Sequence, residues 1–131
     1  MGFPVIHTQL RGVIAFTIGC VIVTGERFGM LDEDEQDAVI AHETGHIVNW
    51  HGFKRWWWAV SFQWFDLQHR CWEQEYEADA YAAHEGHGVG LISVLWRGPG
   101  HESPMHPARD ARIEHIGTVL RSFKHGQRLS V

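Results

Sequence analysis

His42-Glu43-Thr44-Gly45-His46, inside the run Glu33–His51, decides how this chain is read. The run patterns as one helix, and a helix sets positions i and i+4 on one face. His42 and His46 can therefore grip one cation together. Glu43, one step round from His42, can reach a water on the same ion. This H-E-x-x-H spacing supplies two ligands and a general base. The plain alternative is a solvated helix that happens to carry two histidines.

The same run carries its own boundaries. Asp32 is suited to be the N-cap, and Glu35 stands three residues later, close to a capping box. Gly52 is placed to end the helix. Gly45 costs about 1 kcal/mol against Ala in a helix interior, so its use predicts a tight approach there by a backbone or a second helix. His51, five residues after His46, does not match the longer spacing of three-histidine sites and is left out of the ligand set.

A second block decides what the first one binds. Glu75-Tyr76-Glu77-Ala78-Asp79 runs on into Ala80-Tyr81-Ala82-Ala83. Glu75, Ala78, Asp79 and Ala82 recur at helical spacing and share a face. Alanines admit another helix closely, and carboxylates buried on such a face need a cation. A catalytic zinc takes three protein ligands and leaves a fourth position to water. Glu75 is the third ligand in this reading, with Asp79 accepting the free N–H of a ligand histidine and fixing its tautomer. Glu73 and Glu77 are the rival ligands, and an acidic solvated helix is the reading without a metal.

With both blocks in view, the chain resembles the gluzincin zinc metallopeptidases, the group that includes HtpX-like heat-shock proteases and CAAX prenyl proteases. Cys20–Gly25, Leu31–Glu35 and Ala38–Glu43 are similar to that family's strand, turn and active-site helix. Glu75 to Asp79 resembles its Glu-aromatic-x-Ala-Asp motif, whose leading Glu is a metal ligand. His106-Pro107 with Arg112-Ile113 resembles its C-terminal His-Pro…Arg-Ile motif, and Asn49 matches a position often polar there. The resemblance implies one Zn2+, His106 touching substrate or the developing oxyanion, and Arg112 and Asn49 behind the ligands. It also implies an α+β fold, mainly helical, with a small N-terminal sheet packed on the active-site helix. The compass of the chain suits a minimal, minigluzincin-like version. His106 has an equally strong structural reading, as a cap or pin for its loop.

Composition agrees with one domain. The 131 residues have room for one core, here taken as residues 3–123 with 124–131 as a flexible tail. The apolar share of 44% is that of a globular protein. A net charge of −5 lacks the basic footprint of a nucleic-acid binder. Two cysteines are no disulfide scaffold, and Met1–Pro4 does not read as an export signal, so a cytoplasmic location is expected. Strands are expected near 3–7, 12–17 and 20–24, the last being the free edge of the cleft. A further short helix is expected over Leu91–Trp96, and a final one over 108–123.

Residues 53–72 are dense in aromatics, including Trp56, Trp57, Trp58, Trp64 and Trp72. They are assigned to the core between the two ligand-bearing helices, ahead of a peripheral membrane contact through Trp56, Trp57 and Trp58 beside Lys54 and Arg55 or an apolar wall for substrate. A double membrane pass is excluded, because only 28 residues separate His46 from Glu75 and two passes need about 40.

The expected activity is hydrolysis of peptide bonds in extended or unfolded polypeptides, with Glu43 as the base for a water that zinc acidifies. The alternative is a metal-stabilised regulatory or binding module whose site is closed by a fourth ligand such as His106 or His125.

Overall fold

Runs of β-branched residues near the N-terminus build three short strands, β1 (Val5–His7), β2 (Ala15–Ile18) and β3 (Val21–Thr24). The computed structural model describes residues 2–60, 67–98, 100–103 and 105–129, and for 58–60 and 125–129 the backbone alone. Gly19, at a φ of 59°, turns β2 into β3, and the pair runs antiparallel from Ala15 opposite Thr24 to Ile18 opposite Val21. β1 adds in parallel on the other side of β3. The order is therefore β1-β3-β2, and this corrects the expected free edge. Cys20–Thr24 is the centre of the sheet, with Ile22 fully buried. β1 occupies its second side, so the open edges belong to β1 and β2.

A 3-10 turn over Glu26–Met30 leads into helix α1 (Glu33–Val48). Asp32 accepts from the Glu35 N–H at 2.9 Å and the Glu35 carboxylate accepts from the Asp32 N–H at 3.2 Å, a complete capping box. Glu35 does more. Buried, it takes Arg97 Nε at 2.6 Å and Ser93 Oγ at 2.9 Å from a later helix. Arg97 lowers its pKa to about 2 against the cost of burial, with further help from Asp32 and Ser93.

The helix does not run to His51. Asn49 closes it, its side-chain amide donating to the Gly45 carbonyl at 2.8 Å. Trp50 then takes a φ of 57°, a conformation a bulky residue rarely adopts, and the chain restarts as α2 (His51–Val60). Gly52 lies inside α2 rather than ending α1. The helices α3 (Leu67–His84), α4 (Gly88–Arg97) and α5 (Arg109–Leu129) follow, so the last helix extends past residue 123.

The core is built from small residues where helices cross. Ala38 and Ala41 of α1 meet Ala82 and Ala83 of α3, Leu91 of α4 and Ile116 of α5. A second cluster joins Phe28, Leu31 and Val39 to Val94 beneath the sheet. A Cβ at Gly45 would stand 3.0 Å from Ala78 Cα and 3.0 Å from Tyr81 Cβ. The tight approach expected at this glycine is therefore that of the second ligand helix.

The described aromatic side chains of α2 face solvent rather than that crossing. Phe53, Trp56 and Trp57 on α2, and Trp50 before it, are more than half exposed. The core assignment is thus corrected for these side chains, because the turn at Trp50 swings α2 off the line of α1. Trp72 is half-buried and donates to the Ser103 carbonyl at 2.9 Å. The side chain of Trp58, and all of Trp64, lie outside the described residues. Among the described residues no helix is long and apolar enough to cross a membrane. Cys20 and Cys71 are both free.

Candidate metal centre

α1 and α3 cross with His42 and His46 facing Glu75, all three nearly buried. The His42 and His46 Nε2 atoms are 3.1 Å apart. Glu75 Oε2 lies 3.4 Å from the first and Oε1 lies 3.1 Å from the second. A tetrahedral ion with bonds of about 2.0–2.1 Å separates its ligand atoms by roughly 3.3 Å, so the three donors already stand at ligand spacing. Glu75 Oε2 is buried without a hydrogen bond, the orphaned atom that a cation would satisfy. Of the rival acids, Glu73 pairs with His69 at the surface and Glu77 with His51.

The groups behind the three donors come from α3, α5 and the loop that precedes α5. Asp79 Oδ1 is 2.8 Å from His42 Nδ1, close enough for a hydrogen bond but off the line of the ring N–H. Arg112 of α5 grips both oxygens of Asp79, at 2.8 and 2.7 Å, and lies 3.7 Å from Glu75 Oε2. His106 Nδ1 reaches Glu75 Oε2 at 3.1 Å while its ring stays 58% exposed. Asn49 is spent on the helix end.

Electrostatics follow from this crowding. Burial resists a charge on His42, but the Asp79 and Glu75 carboxylates outweigh it and hold its pKa up at about 10. Burial likewise opposes ionisation of Glu75, yet His106, His42 and His46 keep it well below the usual carboxylate range. Asp79 is held low against burial by Arg112 and His42. The site is thus a stack of alternating charge in which both acids stay ionised.

Glu43 faces a cleft of about 970 Å³ whose walls include Phe16, Trp50, Phe53 and Trp56. From the open edge strand β2, Thr17 Oγ1 donates to Glu43 Oε2 at 2.5 Å. Sequence reasoning missed Thr17, because nothing in a strand pattern ties one hydroxyl to a residue 26 positions away. It also missed Arg55, which donates to Gln74 Oε1 at 2.5 Å and lies 3.4 Å from Glu75 Oε1. It set aside His51, whose ring is buried with Nδ1 at 2.8 Å from His46 Nδ1. Desolvation lowers the His51 pKa to about 4 despite Glu77. The signal that could have found His51 is the Asn49–Trp50 pair as a helix stop, after which the chain can fold His51 back against α1.

The mainly helical α+β fold carries a donor group of the gluzincin type, two histidines on α1 and a glutamate on α3 that could hold a metal ion. The sequence model of peptidase family M48 matches residues 11–69, consistent with a gluzincin of that family. The matched span holds β2, β3 and His42, Glu43 and His46, and ends before Glu75. Metallopeptidases of this family depend on zinc, which agrees with the donor set here. No curated protein matches the chain, and no solved structure does.

Proposed function

We propose that the protein is a metalloendopeptidase that cleaves extended or unfolded polypeptides. The observation that carries the reading is convergence: three donors at ligand spacing, with a second acid, Glu43, lining an apolar cleft from the helix that carries both histidines. His42, His46 and Glu75 would hold one divalent ion, zinc by ligand type. Such an ion supplies Lewis acidity, polarising a carbonyl and bringing the pKa of a water towards 7.

The chain's own groups do the rest. Glu43 takes the proton that the attacking water gives up and hands it to the leaving amine. Thr17 holds Oε2 of that carboxylate, which leaves Oε1 to face the water. A substrate segment adds as a strand to the open edge of β2, so backbone hydrogen bonds give affinity with little sequence choice. Phe16, Trp50, Phe53 and Trp56 line the cleft for its apolar side chains and exclude water. His106, beside Glu75 at the wall of the cleft, is placed to touch the substrate near the developing oxyanion. Arg112 and Asp79 hold the His42 ring in place.

The closed, structural-metal alternative needs a fourth protein ligand. Among the described residues the donor cluster holds three, the number that leaves a position open. The deciding experiment is Glu43→Gln with casein as an unfolded substrate. Hydrolysis should vanish while about one equivalent of zinc stays bound; hydrolysis that persists would refute Glu43 as the base.

A further inference from the structure

We infer that His51 and Glu77 form a relay that fixes the proton of His46 on Nδ1 and so presets its Nε2 as a bare ligand. The inference rests on the reading that His42, His46 and Glu75 hold a metal. It follows from counting protons along three contacts. Glu77 Oε2 lies 3.0 Å from His51 Nε2. An ionised carboxylate only accepts, so His51 carries its hydrogen on Nε2. A neutral imidazole has one N–H, which leaves His51 Nδ1 as an acceptor. His46 Nδ1 stands 2.8 Å from that acceptor and must be the donor. With its hydrogen on Nδ1, His46 turns a free Nε2 lone pair towards Glu75 Oε1 and His42 Nε2.

His51 thereby does for His46 what Asp79 does for His42. A neutral ring stands in for the carboxylate or carbonyl that commonly backs a ligand histidine. Both supports are governed by α3, directly through Asp79 and through His51 by way of Glu77. They differ in reach, since Asp79 is fully buried whereas the Glu77 side chain is 51% exposed. The left-handed turn at Trp50 gains a purpose here, because it folds the start of α2 back so that the His51 ring lies under His46. His51 is a positioning residue: the contacts it makes are with His46, Glu77 and, through its carbonyl, Gln74.

The test measures zinc affinity by chelator competition in the wild type, His51→Phe and Glu77→Ala, and reads the histidine tautomers of the zinc-loaded wild type by nitrogen-15 NMR. His51→Phe should bind zinc about 10–100-fold more weakly, and Glu77→Ala more weakly by a smaller factor. His51 should be the Nε2–H tautomer and His46 the Nδ1–H tautomer. If His51→Phe does not fold, the surface variant Glu77→Ala and the tautomers decide. Unchanged affinity in the variants, or His51 found with its hydrogen on Nδ1, overturns the relay while leaving the metal reading intact. A wild type that takes up no zinc overturns both together.

Discussion

Replacing Gly45 by Ala sets two known effects against each other at the crossing of α1 and α3. In an open helix interior the change stabilises by about 1 kcal/mol. Here the new Cβ would stand 3.0 Å from Ala78 Cα and 3.2 Å from Ala78 O. Those atoms are backbone and cannot rotate aside. Carbon contacts relax at about 3.5–4.0 Å, so α3 must retreat from α1 by roughly 0.5–1 Å. Overpacking of this kind costs about 1–3 kcal/mol, leaving a net loss of roughly 0–2 kcal/mol after the helical gain. The larger effect falls on the site, since α3 carries Glu75 and Asp79 while α1 carries His42 and His46. A misplacement near 1 Å costs up to about 100-fold in rate. Gly45→Ala should therefore lower the urea midpoint modestly and zinc affinity and turnover strongly. Gly117→Ala is the control: its Cβ would meet only the flexible end of Arg121, so it should stabilise by about 1 kcal/mol with activity intact. A Gly45→Ala protein that is more stable, with full zinc affinity, would refute the close-crossing argument.

Three further outcomes follow from other contacts. Thr17→Val should lower kcat by about 10–100-fold, the worth of one hydrogen bond to a charged group, with little change in KM; Thr17→Ser should restore it, and a loss confined to KM would deny Thr17 this role. Because the folded pKa of Glu35 is depressed to about 2 from 4.5, its contribution to stability is present above the unfolded value and is lost as pH falls through about 2. Arg97→Met should thus be less stable than wild type at pH 7, and urea melts at a series of pH values should show the difference shrinking between about pH 4.5 and 2; a gap independent of pH would count against the pair. Chelation of zinc should abolish turnover yet leave a cooperative thermal transition, lowered on the order of 10 °C, because the alanine-lined crossing stays packed without the ion; complete unfolding at 25 °C would favour the structural-metal alternative.

The convergence of His42, His46 and Glu75 was legible because each lies within one regular helix, where spacing alone places side chains on a face. Asp32 and Glu35 were legible for a like reason, as a local motif four residues long. The open edge was misread because pairing is non-local: nothing within Cys20–Thr24 tells that β1 returns beside it in parallel. The aromatic segment was misread because apolar content was taken as burial, whereas Trp50 at positive φ sends α2 outward. His51 was left out of the ligand set for not matching the spacing of three-histidine sites, and it is outside the donor group here, but the same turn brings it under His46. The outward course of α2 and the place of His51 both turn on one residue, Trp50, whose backbone conformation departs from what its side chain favours.

Arg112 reaches the centre from α5, 33 positions beyond the aspartate it clamps. Polypeptides are made from the N-terminus, so a growing chain displays both imidazoles and both acids before that guanidinium exists. During this interval Asp79 lacks the guanidinium that keeps it ionised against burial, and the pocket has a reason to stay unformed. The last helix of the fold thus closes an arrangement whose other parts lie far upstream, and the candidate centre is complete only when α5 has docked.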